Sequence, residues 1–286
     1  MNRFALHSKP IRSLAPSPTP TFTLFATPVT RAEAGVLAAF LLALLVACAG
    51  PHVAQHAHYH AFADQRTLWG VPCALDVLSN LAFALLGGWG LLRLYGHTNG
   101  IAQAAGSQRT LATLFFAGLV LTALCSTAYH LAPDDAGLAI DRLGMVSAFA
   151  GLLGLAAADR VSARSGLWLA SAVLALGPVA VLVWAHTGNL LPWSVLQGGG
   201  MVLIVVLALR SPVDGAWGIP LATVIAWYVL AKLLELGDHA VFAATQGWVS
   251  GHSLKHVFAA MAAWPVIALM HNGAHARLGQ HGAVRA

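Results

Sequence analysis

His252-Ser253-Leu254-Lys255-His256 opens an apolar run that continues as Val257-Phe258-Ala259-Ala260-Met261-Ala262-Ala263-Trp264-Pro265-Val266-Ile267-Ala268-Leu269-Met270. A run of this length is what a helix needs to cross a bilayer. Helical spacing puts its two histidines on one face, one turn apart. Ionisable side chains are expensive inside a membrane, so a pair placed there points to a site. Upstream, Ser126 and His130 repeat the four-residue spacing, and Asp141 follows His130 by eleven residues. Three imidazoles with one position left for water form the ligand set of a catalytic zinc centre.

The rest of the chain extends the membrane reading. Of its 286 residues 58% are hydrophobic and 9% charged, with a mean hydropathy of +0.73. Soluble domains carry about 25% charged residues. Apolar segments recur throughout, so the expected fold is an all-α, polytopic membrane helical bundle. Eight spans are expected, at approximately residues 35–49, 73–95, 110–131, 138–157, 166–186, 193–209, 217–237 and 252–271. Residues 1–30 are rich in Pro, Ser and Thr and read as a disordered cytoplasmic tail, and 31–50 as a first membrane helix. That first helix contains Leu45-Val46-Ala47-Cys48, similar to a lipoprotein cleavage box, but it begins far from the N-terminus for a signal segment. Residues 273–286 read as a second cytoplasmic tail.

The basic residues orient the spans. With the N-terminus inside, the inner segments hold Arg3, Lys9, Arg12, Arg31, Arg93, Arg109, Arg160, Arg164, Arg210, Arg277 and Arg285. The outer loops hold Arg66 alone, and Arg142, Lys232 and Lys255 fall within spans. This is the bias of the positive-inside rule. It predicts both termini in the cytoplasm, as for a bacterial inner-membrane protein, with the site near the periplasmic face. The net charge of +5 follows from that distribution and is no nucleic-acid signature. Cys48, Cys73 and Cys125 lack any CxxC pairing and indicate neither a disulfide framework nor a thiolate zinc site.

In this topology Ser126 and His130 end the third span, Asp141 starts the fourth, and His252 and His256 start the eighth. All five fall at one outer depth, and facing helices are how bundles build metal sites. His130, His252 and His256 are the expected zinc ligands. Zinc would bring the pKa of a bound water to about 7 and polarise a carbonyl. Asp141 would accept the water's proton, and Ser126 would donate a hydrogen bond to an oxyanion. Glu235 and His239, four apart near the outer end of the seventh span, either orient a ligand histidine or form a helix-end charge cluster. Lys255 is expected to point to another face and snorkel to the interface. His52, His56, His58 and His60 in an outer loop read as loose metal donors or as composition alone.

The stretches Ser126-Thr127-Ala128-Tyr129-His130, Asp141-Arg142-Leu143-Gly144-Met145 and His252-Ser253-Leu254-Lys255-His256 together resemble the alkaline ceramidases. The wider superfamily includes adiponectin-receptor-like and Per1-like membrane proteins. Leu78-Ser79-Asn80-Leu81 is similar to the Ser-Asn element of the family's first core helix, and that resemblance adds Asn80 as a supporting residue. The similarity spans about residues 69–272 and implies a seven-helix ceramidase-like domain with one extra N-terminal span. It also implies hydrolysis of the amide of a ceramide-like N-acyl lipid. The family's acidic calcium segment is not reproduced, because Asp64 and Asp76 are too few and too scattered. Two other classes compete: a receptor or sensor with the same metal site, and a metal or proton transporter. No internal repeat of the kind transporters show is evident.

Overall fold

The computed structural model describes residues 28–96 and 106–270. The expected tails, 1–30 and 273–286, lie almost wholly outside the described residues. Most of those described are helical, with no β-strand among them. α1 is Arg31–Ala49, α2 Ala74–Ser79, α3 Leu81–Tyr95, α4 Gly106–Leu131, α5 Asp135–Arg160 and α6 Ala163–Thr187. α7 is Leu191–Ser194, followed through a π-helical turn, Val195–Gly199, by α8, Gly200–Ala208. α9 is Leu221–Leu236, α10 Asp238–Ala244 and α11 Gly251–Met261, whose span continues to Met270. This is an all-α polytopic helical bundle.

Among the described residues seven helices are long and apolar enough to cross a membrane. The expected seventh span is the exception. Pro220 precedes α9 and Gly237 ends it, leaving 16 residues, or about 24 Å of helix against a hydrocarbon core of about 30 Å. The last span keeps its length but breaks at Ala262–Ala263, because Pro265 has no N–H to continue the ladder.

α5 is the central helix, buried along most of its length between α4 and α6. Two glycines let α4 and α5 touch backbone to backbone. A Cβ on Gly118 would lie 2.3 Å from the amide nitrogen of Ala148, and one on Gly151 would lie 2.3 Å from that of Phe115. Small residues at such crossings are how membrane helices gain dispersion contact without a hydrophobic drive. The crossing fixes the far ends of both helices, which carry His130 and Asp141.

The two ends of the bundle differ. At one end buried Asp159 pairs with Arg160 at 2.9 Å and accepts from the amides of Gly218 and Ile219 at 2.8 and 3.1 Å. Nearby, Arg164 reaches Glu33 of α1 at 2.6 Å. At the opposite end residues 50–73 lie across the helix termini as a strap. The amide of Leu190 donates to Val53 at 2.7 Å, His60 meets Tyr129 at 2.8 Å, and Ala63 donates to Asp238 at 2.9 Å. Exposed Trp69 and Trp248 mark this end, the place aromatic belts occupy in membrane proteins. His130, Asp141, His252 and His256 all lie under the strap, far along the chain from the Asp159–Arg160 end.

Candidate metal centre

The last turn of α4 supplies His130, and the first two turns of α11 supply His252 and His256. The start of α11 is tightly specified. The Ser250 hydroxyl caps it by accepting from the Ser253 amide at 2.9 Å. A Cβ on Gly251 would lie 2.2 Å from the Leu234 carbonyl oxygen, so only glycine lets α11 begin against the α9–α10 junction. The His252 amide donates to Asp238 at 2.8 Å. These contacts set the rotation of α11 and aim both histidines at α4.

The three rings converge. Their centroids are 4.9, 5.0 and 4.9 Å apart, and one nitrogen from each lies within 4.8 Å of the others. All three residues are buried, His130 completely. The Nε2 atoms of His130 and His252 are 3.3 Å apart. Zn–N bonds of about 2.0–2.1 Å in a tetrahedron place ligand nitrogens about 3.3–3.4 Å from one another. Three imidazoles, one nitrogen from each, form a donor set that could hold a metal ion.

The surroundings of His256 assign its tautomer. The Ser79 hydroxyl donates to the Asp76 carbonyl at 2.8 Å, so its oxygen is left to accept from Nδ1–H of His256, also at 2.8 Å. Nε2 of His256 therefore keeps its lone pair for a metal, the arrangement that second partners impose on ligating histidines. The helix breaks here for the same reason. Asn80 Nδ2 also donates to the Asp76 carbonyl, at 3.0 Å, so side chains take the bond that would have joined α2 to α3. The Asp76 carboxylate accepts from Ser253 at 2.6 Å and Ser250 at 3.2 Å, docking α2 against α11. Nδ1 of His130 is buried without a partner, so its polar bonding runs through Nε2.

Asp141 and Ser126 lie together on facing helices. Ser126 is the hydroxyl neighbour of the Asp141 carboxylate, both are buried, and Oδ1 of Asp141 has no hydrogen-bond partner. The next residue, Arg142, turns away from them. It donates to Gln55 of the strap at 2.6 Å and stacks its guanidinium 4.0 Å from the Trp184 ring centroid.

Comparison with models of known protein families and with curated proteins returns no match.

The remaining expected residues separate on inspection. Glu235 pairs with Lys232 and with Lys255, the latter at 3.2 Å. Lys255 does not snorkel: its Nζ lies 3.2 Å from Nε2 of His252, drawn inward by Glu235. Glu235 thus meets the histidine cluster through Lys255. His239 is exposed and bonds the Ala61 carbonyl at 3.1 Å, which makes it a strap contact. Asn80 supports His256 through the Asp76 carbonyl. Of the loop histidines, His52 meets the Thr187 carbonyl at 3.3 Å, and His60 bridges Tyr129 and Asp135.

The sequence reading gave no role at the cluster to Asp76, Asp238, Ser79 or Phe62. Phe62 is buried, with its ring 4.8 Å from that of His130 and 4.5 Å from that of His252, so it caps the cluster. Asp76 and Asp238 carried a legible signal, since each is a lone carboxylate at the border of an apolar run. Phe62 carried none, because an aromatic in a loop has no period to betray its depth. The strap is held by a two-pronged contact, Arg66 to Asp64 at 2.7 Å through both Nε and Nη2. Burial alone would raise the Asp64 carboxyl, and the Arg66 contact prevails and holds it below its ordinary range.

Proposed function

We propose that this protein is an intramembrane zinc-dependent hydrolase that cleaves the amide of a ceramide-like N-acyl lipid. The observation that carries the proposal is the convergence of three buried imidazoles at one end of an apolar bundle, with a buried Asp141–Ser126 pair whose serine lies one turn before His130 on α4. His130, His252 and His256 would hold the ion. Zinc bound there would supply Lewis acidity toward a carbonyl and a water acidified to about neutrality.

The chain's own groups divide the remaining work. Asp141, whose Oδ1 is uncommitted, accepts the proton that the attacking water gives up. Ser126 donates to the oxygen that becomes negative as the carbonyl carbon turns tetrahedral. Asp141 then returns the proton to the amine nitrogen as the C–N bond breaks, releasing fatty acid and free amine. Phe62 covers the cluster and keeps bulk water from the charges that develop. Lys255 adds a fixed positive charge beside His252, which favours a negatively charged transition state. The likeness of the Ser-His, Asp and His-Lys-His stretches to alkaline ceramidases supports the lipid amide as substrate.

Purified protein in mixed micelles is expected to release fatty acid from ceramide or another N-acyl lipid, measured by mass spectrometry of the products. No release across a panel of ceramides, N-acyl amino acids and N-acyl ethanolamines would overturn the hydrolase reading. The bias of the basic residues supports both termini in the cytoplasm and the site near the outer face, a topology in which α9 also crosses. A phosphatase reporter joined after Pro133 is expected to be active in the periplasm, and one joined after Arg285 to be silent. The reverse pattern would put the site on the inner side.

A further inference from the structure

α1 is pinned at both ends and stands off from the bundle between them. At one end Glu33 accepts from Ser162 at 2.6 Å and from Arg164 at 2.6 Å. At the other, Gly50 abuts Leu191, where a Cβ would come within 2.5 Å. Between these points only Val36 of the helix's apolar residues is buried. The space left between α1 and the face formed by α6, the π-helical turn and α8 is a cavity of about 1020 Å³. That is the upper end of the range for small-molecule pockets. Its walls are aliphatic, and exposed Leu42, Val179, Val202 and Val206 carry them outward to where lipid would lie. None of the three histidines, Asp141 or Ser126 lines it.

Charge is confined to one end of this slot. Arg31 at the start of α1 and Arg210 just after α8 are its only charged lining residues, and both are exposed. Neither forms an ion pair among the described residues. The other end offers only the neutral Asn189 and Ser194. An apolar slot of this size in a bilayer forfeits dispersion energy along its whole wall unless hydrocarbon fills it. Two guanidiniums at its mouth match a phosphate, which arginine recognises by paired donors.

We infer that the slot between α1 and α6–α8 is a binding site for one anionic phospholipid, with acyl chain along the slot and phosphate between Arg31 and Arg210. The occupant is a resident lipid, distinct from whatever the histidine site acts on. α1 makes most of its contact with the bundle through that lipid.

The test uses the full-length protein in mild detergent, exchanged into mixed micelles of phosphatidylglycerol and phosphatidylcholine and weighed by native mass spectrometry. One phosphatidylglycerol per chain is expected to be retained in preference to phosphatidylcholine. In the Arg31→Gln/Arg210→Gln variant that preference should fall about tenfold. Gly35 faces open space in the slot, with nothing within 4 Å of its Cβ position, so Gly35→Phe fills the slot without a backbone clash. Phospholipid retention should then fall several-fold at unchanged melting temperature. Ala39→Phe, on the same wall, repeats the test if Gly35→Phe does not fold. His256→Ala should bind phospholipid as wild type does, which separates this site from the histidine cluster. Equal retention of both lipids by wild type, or full retention by the filled variants, overturns the proposal. So does a second copy of the chain in the slot, seen as a dimer that Gly35→Phe dissolves.

Discussion

Protein carrying His256→Ala is expected to lose the zinc that wild type holds at about one ion per chain, measured by elemental analysis after removal of loosely bound metal. The expectation rests on the three rings whose nitrogens meet within 4.8 Å. Two imidazoles retain neither the charge transfer nor the closed geometry of three. His130→Ala and His252→Ala should lose zinc equally. Ser79→Ala tests a finer point. It leaves all three ligands and removes the oxygen that holds Nδ1–H of His256 at 2.8 Å, so affinity should fall about 10–100-fold with the stoichiometry at saturation unchanged. Identical zinc content in wild type and all three alanine variants would reduce the cluster to packing histidines.

The second large effect is on turnover. Asp141→Asn keeps the shape of the buried side chain and its neighbour Ser126 but removes the proton acceptor. Zinc should stay, and release of fatty acid should fall about 10²–10⁴-fold. Ser126→Ala should also keep zinc and lose about 10²–10³-fold if its hydroxyl meets the oxyanion. A variant with asparagine at 141 that binds zinc and hydrolyses as fast as wild type would remove Asp141 from the mechanism. The metal assay and the turnover assay together separate a broken site from a broken chemical step, because His256→Ala changes both and Asp141→Asn changes one.

Much of this molecule was written in local pattern. Length, hydropathy and spacing were enough for an all-α membrane bundle, since a segment of about twenty apolar residues has few other ways to satisfy its backbone in lipid. The convergence of His130, His252 and His256 was also legible. The orientation expected from the arginine and lysine positions put the three histidines at one depth, and the three do meet in the bundle. Helical periodicity then put His252 and His256 on one face, which is where the structure has them.

Tertiary structure decided what periodicity does not encode. The seventh expected span is a 16-residue helix, because Pro220 and Gly237 act on hydrogen bonds, whereas hydropathy averages over them. Lys255 was expected at the interface and sits 3.2 Å from His252 instead, because Glu235 on another helix supplies a counter-charge that sequence distance hides. Phe62 caps the histidines from a loop with no regular spacing, and its depth comes from the strap's anchors at Tyr129, Asp135 and Asp238. The tautomer of His256 depends on the Ser79 hydroxyl, 177 residues away, and on the Asp76 carbonyl to which that hydroxyl donates. By itself the sequence determined an all-α bundle of long apolar helices and the common end at which its three histidines lie, because transfer to lipid is a local, nearly additive cost. Which of those groups touch was decided only in the folded bundle, because hydrogen bonds and ion pairs act over a few ångströms between residues far apart in the chain.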